Sequence, residues 1–216
     1  MNELPVPMDV AQLAALAAAL GWASGLRLYA VVFLTGAAGF MGWLPLPPGL
    51  QILQNPLVLG ASFLLFVVEF VADKIPAVDS LWDTVHTFIR IPAGAALAAG
   101  ALGAAGAESG WLGADSTTWS LIAALAGGSL AATAHAAKAT TRAAVNTSPE
   151  PFSNVLLSLA GDAAVPLMLW LAVEHPAVFW PVLVLALLLA LVLIVVFFKF
   201  LRALWRRFMP GPPRAA

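Results

Sequence analysis

Six long stretches of this chain consist almost wholly of Ala, Leu, Val, Gly and Phe, and the polar residues fall into a few short clusters between or within them. A helix needs about 20 apolar residues to cross a bilayer. The pattern therefore predicts spanning helices at residues 10–40, 57–72, 81–106, 119–144, 152–173 and 178–198. The first is longer than one crossing requires. Gly21, Ser24 and Gly25, just ahead of Arg27, predict a tilt, a break at the glycines or a continuation into the outer interface. A Pro-rich interfacial loop follows at residues 43–49, and Asn55-Pro56 opens the second helix. In the third, Ser80 reads as the N-cap with Asp83 three positions on, a variant of the capping box, and Pro92 predicts a bend. The pairs Gly94/Ala98, Ala96/Gly100 and Ala99/Gly103 let helix backbones approach closely in lipid, which places this helix centrally. The sixth carries no charge until Lys199, Arg202, Arg206 and Arg207 close it, and reads as a lipid-facing anchor.

Composition agrees. Hydrophobic residues make up 62% and charged residues 10% of the chain, against roughly a quarter charged in soluble proteins, and the mean hydropathy is +0.94. The expected fold is all-α, a polytopic membrane helix bundle forming a single integral membrane domain over residues 1–216. With a net charge of −1 and scattered basic residues, no nucleic-acid partner is expected. The expected partners are the lipid bilayer and a small ion or solute, with a homo-oligomer left open. Cysteine is absent, which excludes disulfides, thiolate metal sites and Cys nucleophiles; no cofactor is expected. The first residues lack the positive region of a cleavable signal, so the N-terminus reads as retained. Nine of the ten Lys and Arg fall on one side of a six-span arrangement, the tenth being Arg27 within a span. This predicts an inner-membrane, multi-pass protein with both termini cytoplasmic.

Three spans and three spans raise the question of a 3+3 inverted repeat, with halves 10–106 and 119–201. Glu69 and Asp162 each arrive near mid-depth, and Arg27 and His135 each lie some way into the first span of their half. Shared Ala/Gly composition would mimic the same likeness.

Charge is concentrated between Glu69 and Arg90, where Asp73, Lys74, Asp79, Asp83 and His86 also lie. A carboxylate deep in an apolar run is costly and by default a functional candidate. Glu69 and Asp73 are four apart, and Asp79, Asp83, His86 and Arg90 follow at helical spacing, so each set shares a face. Such oxygen ligands can hold a divalent cation or relay protons. The structural alternative is a closed ion-pair network of Asp73 and Asp83 with Lys74 and Arg90, and it is the favoured reading for Asp73, Lys74, Asp79 and Arg90. His135, Lys138 and Arg142 form a basic face that pairs with the acidic one, faces an anionic solute or touches headgroups. Asn154, Ser158 and Asp162 make a polar stripe on the fifth helix, preceded by a turn stiffened by Pro149 and Pro151 whose free N–H groups offer a weak anion site. Arg27 needs a counter-ion, for which Glu69 and Asp162 are the candidates.

The Gly21–Gly25 segment has one residue too many for the Gly-x-Ser-Gly of rhomboid-type proteases, and Gly127-Gly-Ser129 lacks the second Gly of a nucleophile elbow, so no enzyme is expected. At residues 21–29, at Asp-Lys-Ile-Pro-x-Val-Asp-Ser-Leu-Trp-Asp (73–83) and at residues 148–154, the chain resembles a DUF4126-like family of small bacterial multi-pass membrane proteins of unknown function. The resemblance implies a shared fold and brings no activity. Glu69 with Asp73-Lys74 is also faintly similar to the Glu-x-Gly-Asp-Lys signature of small cation/proton exchangers, with a spacing of four in place of three and no Gly. The leading expectation is a transporter or channel for a small solute, a cation or proton-coupled. Its ion-binding groups would be Glu69, Asp73, Asp83, His86, Asn154, Ser158 and Asp162, with Arg27, Lys138 and Arg142 as counter-charges. A non-transporting membrane scaffold is the alternative, and an intramembrane enzyme ranks third.

Overall fold

The computed structural model describes residues 8–108, 113–147 and 152–208, with backbone alone at 76, 77 and 105. Pro149, Pro151 and the anion site expected of their turn lie outside the described residues, as do residues 1–7 and Arg214. The described residues form six helices and no strand: α1 (Val10–Phe40), α2 (Pro56–Ala72), α3 (Pro76–Glu108), α4 (Ser116–Val145), α5 (Phe152–Glu174) and α6 (Pro176–Phe208). A 3-10 helix, Pro48–Gln54, replaces part of the Pro-rich loop. Caps set several starts. Asp9 and Gln12 form a reciprocal capping box on α1, Asn55 caps α2 ahead of Pro56, and Asp115 caps α4 by accepting from the Thr118 amide at 2.8 Å. Ser80 is not a cap. α3 begins four residues earlier at Pro76, so Ser80 lies inside the helix, where its carbonyl accepts from the Thr84 hydroxyl.

Five helices, α1 and α3 to α6, are long and apolar enough to cross a membrane, and the 3-10 helix with α2 adds a pair bent by 71°. Length alone misleads for α1. Its helical geometry fails at Arg27 (φ −146°, ψ 78°), and the contacts on either side show that the chain doubles back. Before the break, Gly21 lies against Gly127, Gly25 against Ala131 and Ala134, and Gln12 donates to the Val173 carbonyl at 3.2 Å. Residues 10–26 thus run parallel to α4 and antiparallel to α5. After the break, Phe33 packs on Phe63 and Phe66, and Gly36 lies against Leu53 and Leu59. The 3-10 helix in turn seats Gly49 on Gly100 of α3, beyond the Gly94 that meets Ser24. Residues 28–40 therefore return along α2 toward the face from which α1 started. The helix is a re-entrant hairpin with Arg27 at its tip.

This bears on two expectations. The first span is not one straight helix, and the start of α1 lies at the end of the bundle opposite the end of α6. Nor is the inverted repeat shown, since residues 10–26 run with α4 and only residues 28–40 run against it.

The hairpin enters a bundle built for close approach. A Cβ on Gly21 would sit 2.6 Å from the Gly127 Cα, and one on Gly94 would sit 2.7 Å from the Ala131 Cβ. Such small-residue seams bring helices together in lipid, where no hydrophobic drive exists between them. The buried core accordingly draws most heavily on the first half of α1, with Leu13, Leu16, Leu20, Ala23 and their neighbours. α6 shows Val184, Leu185, Leu188, Leu191, Val192 and Val195 outward, as a lipid-facing helix does, and buries Phe179 and Leu183.

A buried charge network at the tip of the hairpin

The break at Arg27 frees backbone carbonyls of α1 and projects a guanidinium into the bundle. The Leu26 carbonyl accepts from Lys138 of α4 at 3.3 Å. Arg27 reaches Asp73 in the turn after α2 and Asp162 on α5, each at 2.8 Å, and donates to the Ser158 hydroxyl at 2.8 Å. Three elements are thereby tied to one tip.

From Asp73 the network spreads. Lys138 lies 3.0 Å from Asp73 and 3.0 Å from Asp83 of α3. Arg142 donates to the Asp73 carbonyl at 2.6 Å and to the Asn154 side-chain oxygen, and lies 3.3 Å from Asp79. Arg90 bridges Glu69 at 2.6 Å and Asp83 at 2.5 Å. Lys74 lies 3.6 Å from Asp162 and over the Phe70 ring. Five cations, Arg27, Lys74, Arg90, Lys138 and Arg142, therefore face five carboxylates, Glu69, Asp73, Asp79, Asp83 and Asp162. Together they carry no net charge. Removing ions from water is expensive, and only close pairing makes it tolerable.

Several expected partners differ. Lys74 pairs with Asp162 at 3.6 Å, while Asp73, its neighbour in the turn after α2, is taken by Arg27 and Lys138. Arg27 takes Asp162 and Asp73, and touches Glu69 only at its backbone carbonyl, at 3.5 Å. Glu69 is held by Arg90, which lies two turns along the face from Asp83. The basic face of α4 does meet the acidic face of α3. Asp162 and Lys74, with side chains 18% and 26% exposed, are the most open members; the others are almost fully enclosed. Lys74 lies between helices, and burial pushes its ammonium below the ordinary value, with Asp162 acting against the shift.

The two histidines beside the network, His86 and His135, hold fixed proton positions. His86 Nδ1 faces the Trp82 carbonyl at 2.8 Å, so that nitrogen carries the hydrogen and Nε2 accepts from the Tyr29 hydroxyl at 3.0 Å. Its ring stacks on Trp82. Both nitrogens are engaged, so His86 is not placed to join the carboxylates as a ligand. His135 Nδ1 faces Arg90 at 3.2 Å and must accept, which leaves the hydrogen on Nε2 toward Thr87 Oγ1 at 2.7 Å. Thr87 passes its own proton to the Asp83 carbonyl. Tyr29 and Thr87 are members that sequence reading missed; Tyr29, next to the break, is the one tyrosine of the chain.

Asp73, Asp79 and Asp83 bring oxygens within 4.8 Å of one another, as a metal site would. Arg27, Arg90, Lys138 and Arg142 already surround them, four positive charges against three negative, so the donor set does not suit a divalent cation. Beside the network, α5 stands away from α4 and α6 and leaves a cavity of about 340 Å³. It is bounded by the hairpin tip, α4, α5 and α6, and reaches Arg27, Asp73, Lys138, Arg142 and Ser158.

An apolar helical bundle with its charge folded inward around a re-entrant hairpin is an α-helical membrane protein. The chain belongs to the family described as Domain of unknown function (DUF4126), whose model matches residues 14–196 and so takes in every member of the charge network. No curated protein and no solved structure matches it.

Proposed function

We propose that this protein transports a small charged solute across the membrane, with its binding site in the cavity beside the hairpin tip. The observation that carries the reading is the break of α1 at Arg27, inside the bundle and next to a cavity. Interrupted helices whose freed backbone lines a cavity are how transporters build sites within the bilayer. The cavity falls in the size range of small-molecule sites.

Charge balance supports coupling to protons. A solute bearing one negative charge unbalances the five-against-five network, and one proton taken up with it restores neutrality. Around Asp162 stand Arg27 of α1, Lys74 of the α2–α3 turn and Ser158 of α5. Glu69 is not a solute ligand in this reading, since it lies off the cavity and locked to Arg90. The protein is proposed to lie in the inner membrane and to work without a cofactor. The end of α6, with Lys199, Arg202, Arg206 and Arg207, would be cytoplasmic and the start of α1 outside. It is proposed not to be an enzyme: Ser24 donates to the Gly21 carbonyl at 2.8 Å, and the His135 proton points at Thr87, opposite to what a general base requires.

The scaffold reading is favoured by one observation, the complete pairing of the network. Flux in proteoliposomes separates the two, measured for organic anions and inorganic cations under an imposed pH gradient with wild type and Asp162→Asn. Solute-dependent flux that Asp162→Asn abolishes in monodisperse protein is the expected result. No flux for any solute, with Asp162→Asn altering only the melting temperature, would hand first place to the scaffold.

A further inference from the structure

The cavity beside the hairpin tip has two unlike ends. Its walls on α5 and α6 are hydrocarbon: Leu157, Ala160, Ala164, Ala186, Leu189 and Leu193. Its polar end presents Arg27, Lys138 and Arg142 against a single carboxylate, Asp73. The other carboxylates that neutralise these bases, Asp79, Asp83 and Asp162, lie off the lining. The cavity thus meets three positive groups and one negative. Thr141 stands there too, 7% exposed, with a hydroxyl that has no hydrogen-bond partner among the described residues. An O–H left unpartnered at a buried position is costly and is satisfied by an acceptor brought from outside.

We infer that the cavity binds a single-chain amphipathic organic anion, its acidic head at Lys138, Arg142 and the Thr141 hydroxyl and its hydrocarbon body along α5 and α6. This rests on the transport reading for the location of the site and names the class of ligand. An inorganic anion would leave the apolar walls unused, and an organic cation would meet the wrong charge. A volume of about 340 Å³ suits a single chain. On this reading the solute is an anion in place of the expected cation.

Binding and transport are separable in the test. Protein in nanodiscs of zwitterionic lipid is titrated with decanoate, decylammonium and inorganic phosphate, with empty nanodiscs as reference. Saturable decanoate binding is expected, with tenfold or weaker affinity for the other two. Lys138→Gln should weaken decanoate at least tenfold. Ala164→Phe, which fills the hydrocarbon end and leaves the ion pairs in place, should do the same while the circular dichroism spectrum is retained. Equal binding of decylammonium or phosphate, absence of decanoate binding, or indifference to both substitutions would overturn the inference. Decanoate binding without flux would uphold the ligand class and sink transport; cation flux without decanoate binding would do the reverse.

Discussion

Replacing Arg90 by Met isolates one consequence of a closed network. Arg90 is fully enclosed and is the only ion-pair partner of Glu69 among the described residues, whereas Asp83 keeps Lys138 at 3.0 Å when Arg90 is gone. One carboxylate is therefore orphaned and the other is not. Breaking a buried pair from one side costs about 3–5 kcal/mol, since an uncompensated charge stays behind. For a chain of this length that is roughly 6–20 °C of melting temperature. Glu69→Gln leaves Arg90 its bond to Asp83 and should cost about 1–3 kcal/mol. The double variant should fall short of the sum by about 0.5–3 kcal/mol, because the orphan has been removed with its partner. Lys74→Met, at a quarter-exposed pair, should cost less than about 1 kcal/mol. Unfolding in mixed micelles with increasing SDS, followed by tryptophan fluorescence, reads all four. An Arg90→Met loss no larger than that of Lys74→Met, or strict additivity of the two single changes, would refute the network as drawn.

The re-entrant hairpin fixes a topology that single cysteines in this Cys-free chain can test. With an impermeant maleimide on intact cells, Met8→Cys, Trp43→Cys and His175→Cys should label from outside, and Ser80→Cys and Lys199→Cys only after permeabilisation; Met8→Cys labelling together with Lys199→Cys would restore an even number of crossings. Gly21→Ala should destabilise by about 1–3 kcal/mol through overpacking on the Gly127 backbone. Gly60→Ala, whose Cβ meets nothing within 4 Å, should be neutral or gain up to about 1 kcal/mol in helix propensity; equal effects at the two positions would contradict the seam. At Asp115 the Thr118 amide holds the carboxylate below its usual 3.8. Its capping contribution is present above that value and fades as pH falls through the lowered folded-state value. Wild type should therefore lose thermal stability below about pH 4 by a step that Asp115→Ala lacks, and parallel acid profiles would count against the cap.

The helices were legible because apolar runs and their caps are local. The burial of charge was legible too, since Glu69, Asp73 and Asp83 stand in or beside segments that lipid would surround. The fold of α1 was not. A run of 31 residues spans roughly 46 Å as one helix against a hydrocarbon core of about 30 Å, so its excess length was the signal. A straight tilted helix and a hairpin share that composition, and the choice between them rests on one backbone position and on long-range contacts of Gly21, Gly36 and Gly49. The partners of the network were hidden for the same reason: the bond between Arg27 and Asp162 joins helices more than a hundred residues apart. The same holds for Lys74, whose partner Asp162 stands on α5.

The hairpin and the network explain each other. A chain that turns back inside an apolar bundle leaves carbonyls without helical partners, and here the nearest, Leu26, is served by Lys138. An apolar residue at position 27 would leave Asp73 and Asp162 with weaker partners and the tip without a tether. With Arg27 there, the tip is tied at once to α5 and to the turn between α2 and α3, and through Lys138 to α4. Those ties border the cavity. On the transport reading, an acidic solute competes with Asp73 and Asp162 for the groups that hold the tip in place. Occupancy of the site and the position of the hairpin are then one equilibrium, and a solute that binds without contesting those ion pairs should move nothing.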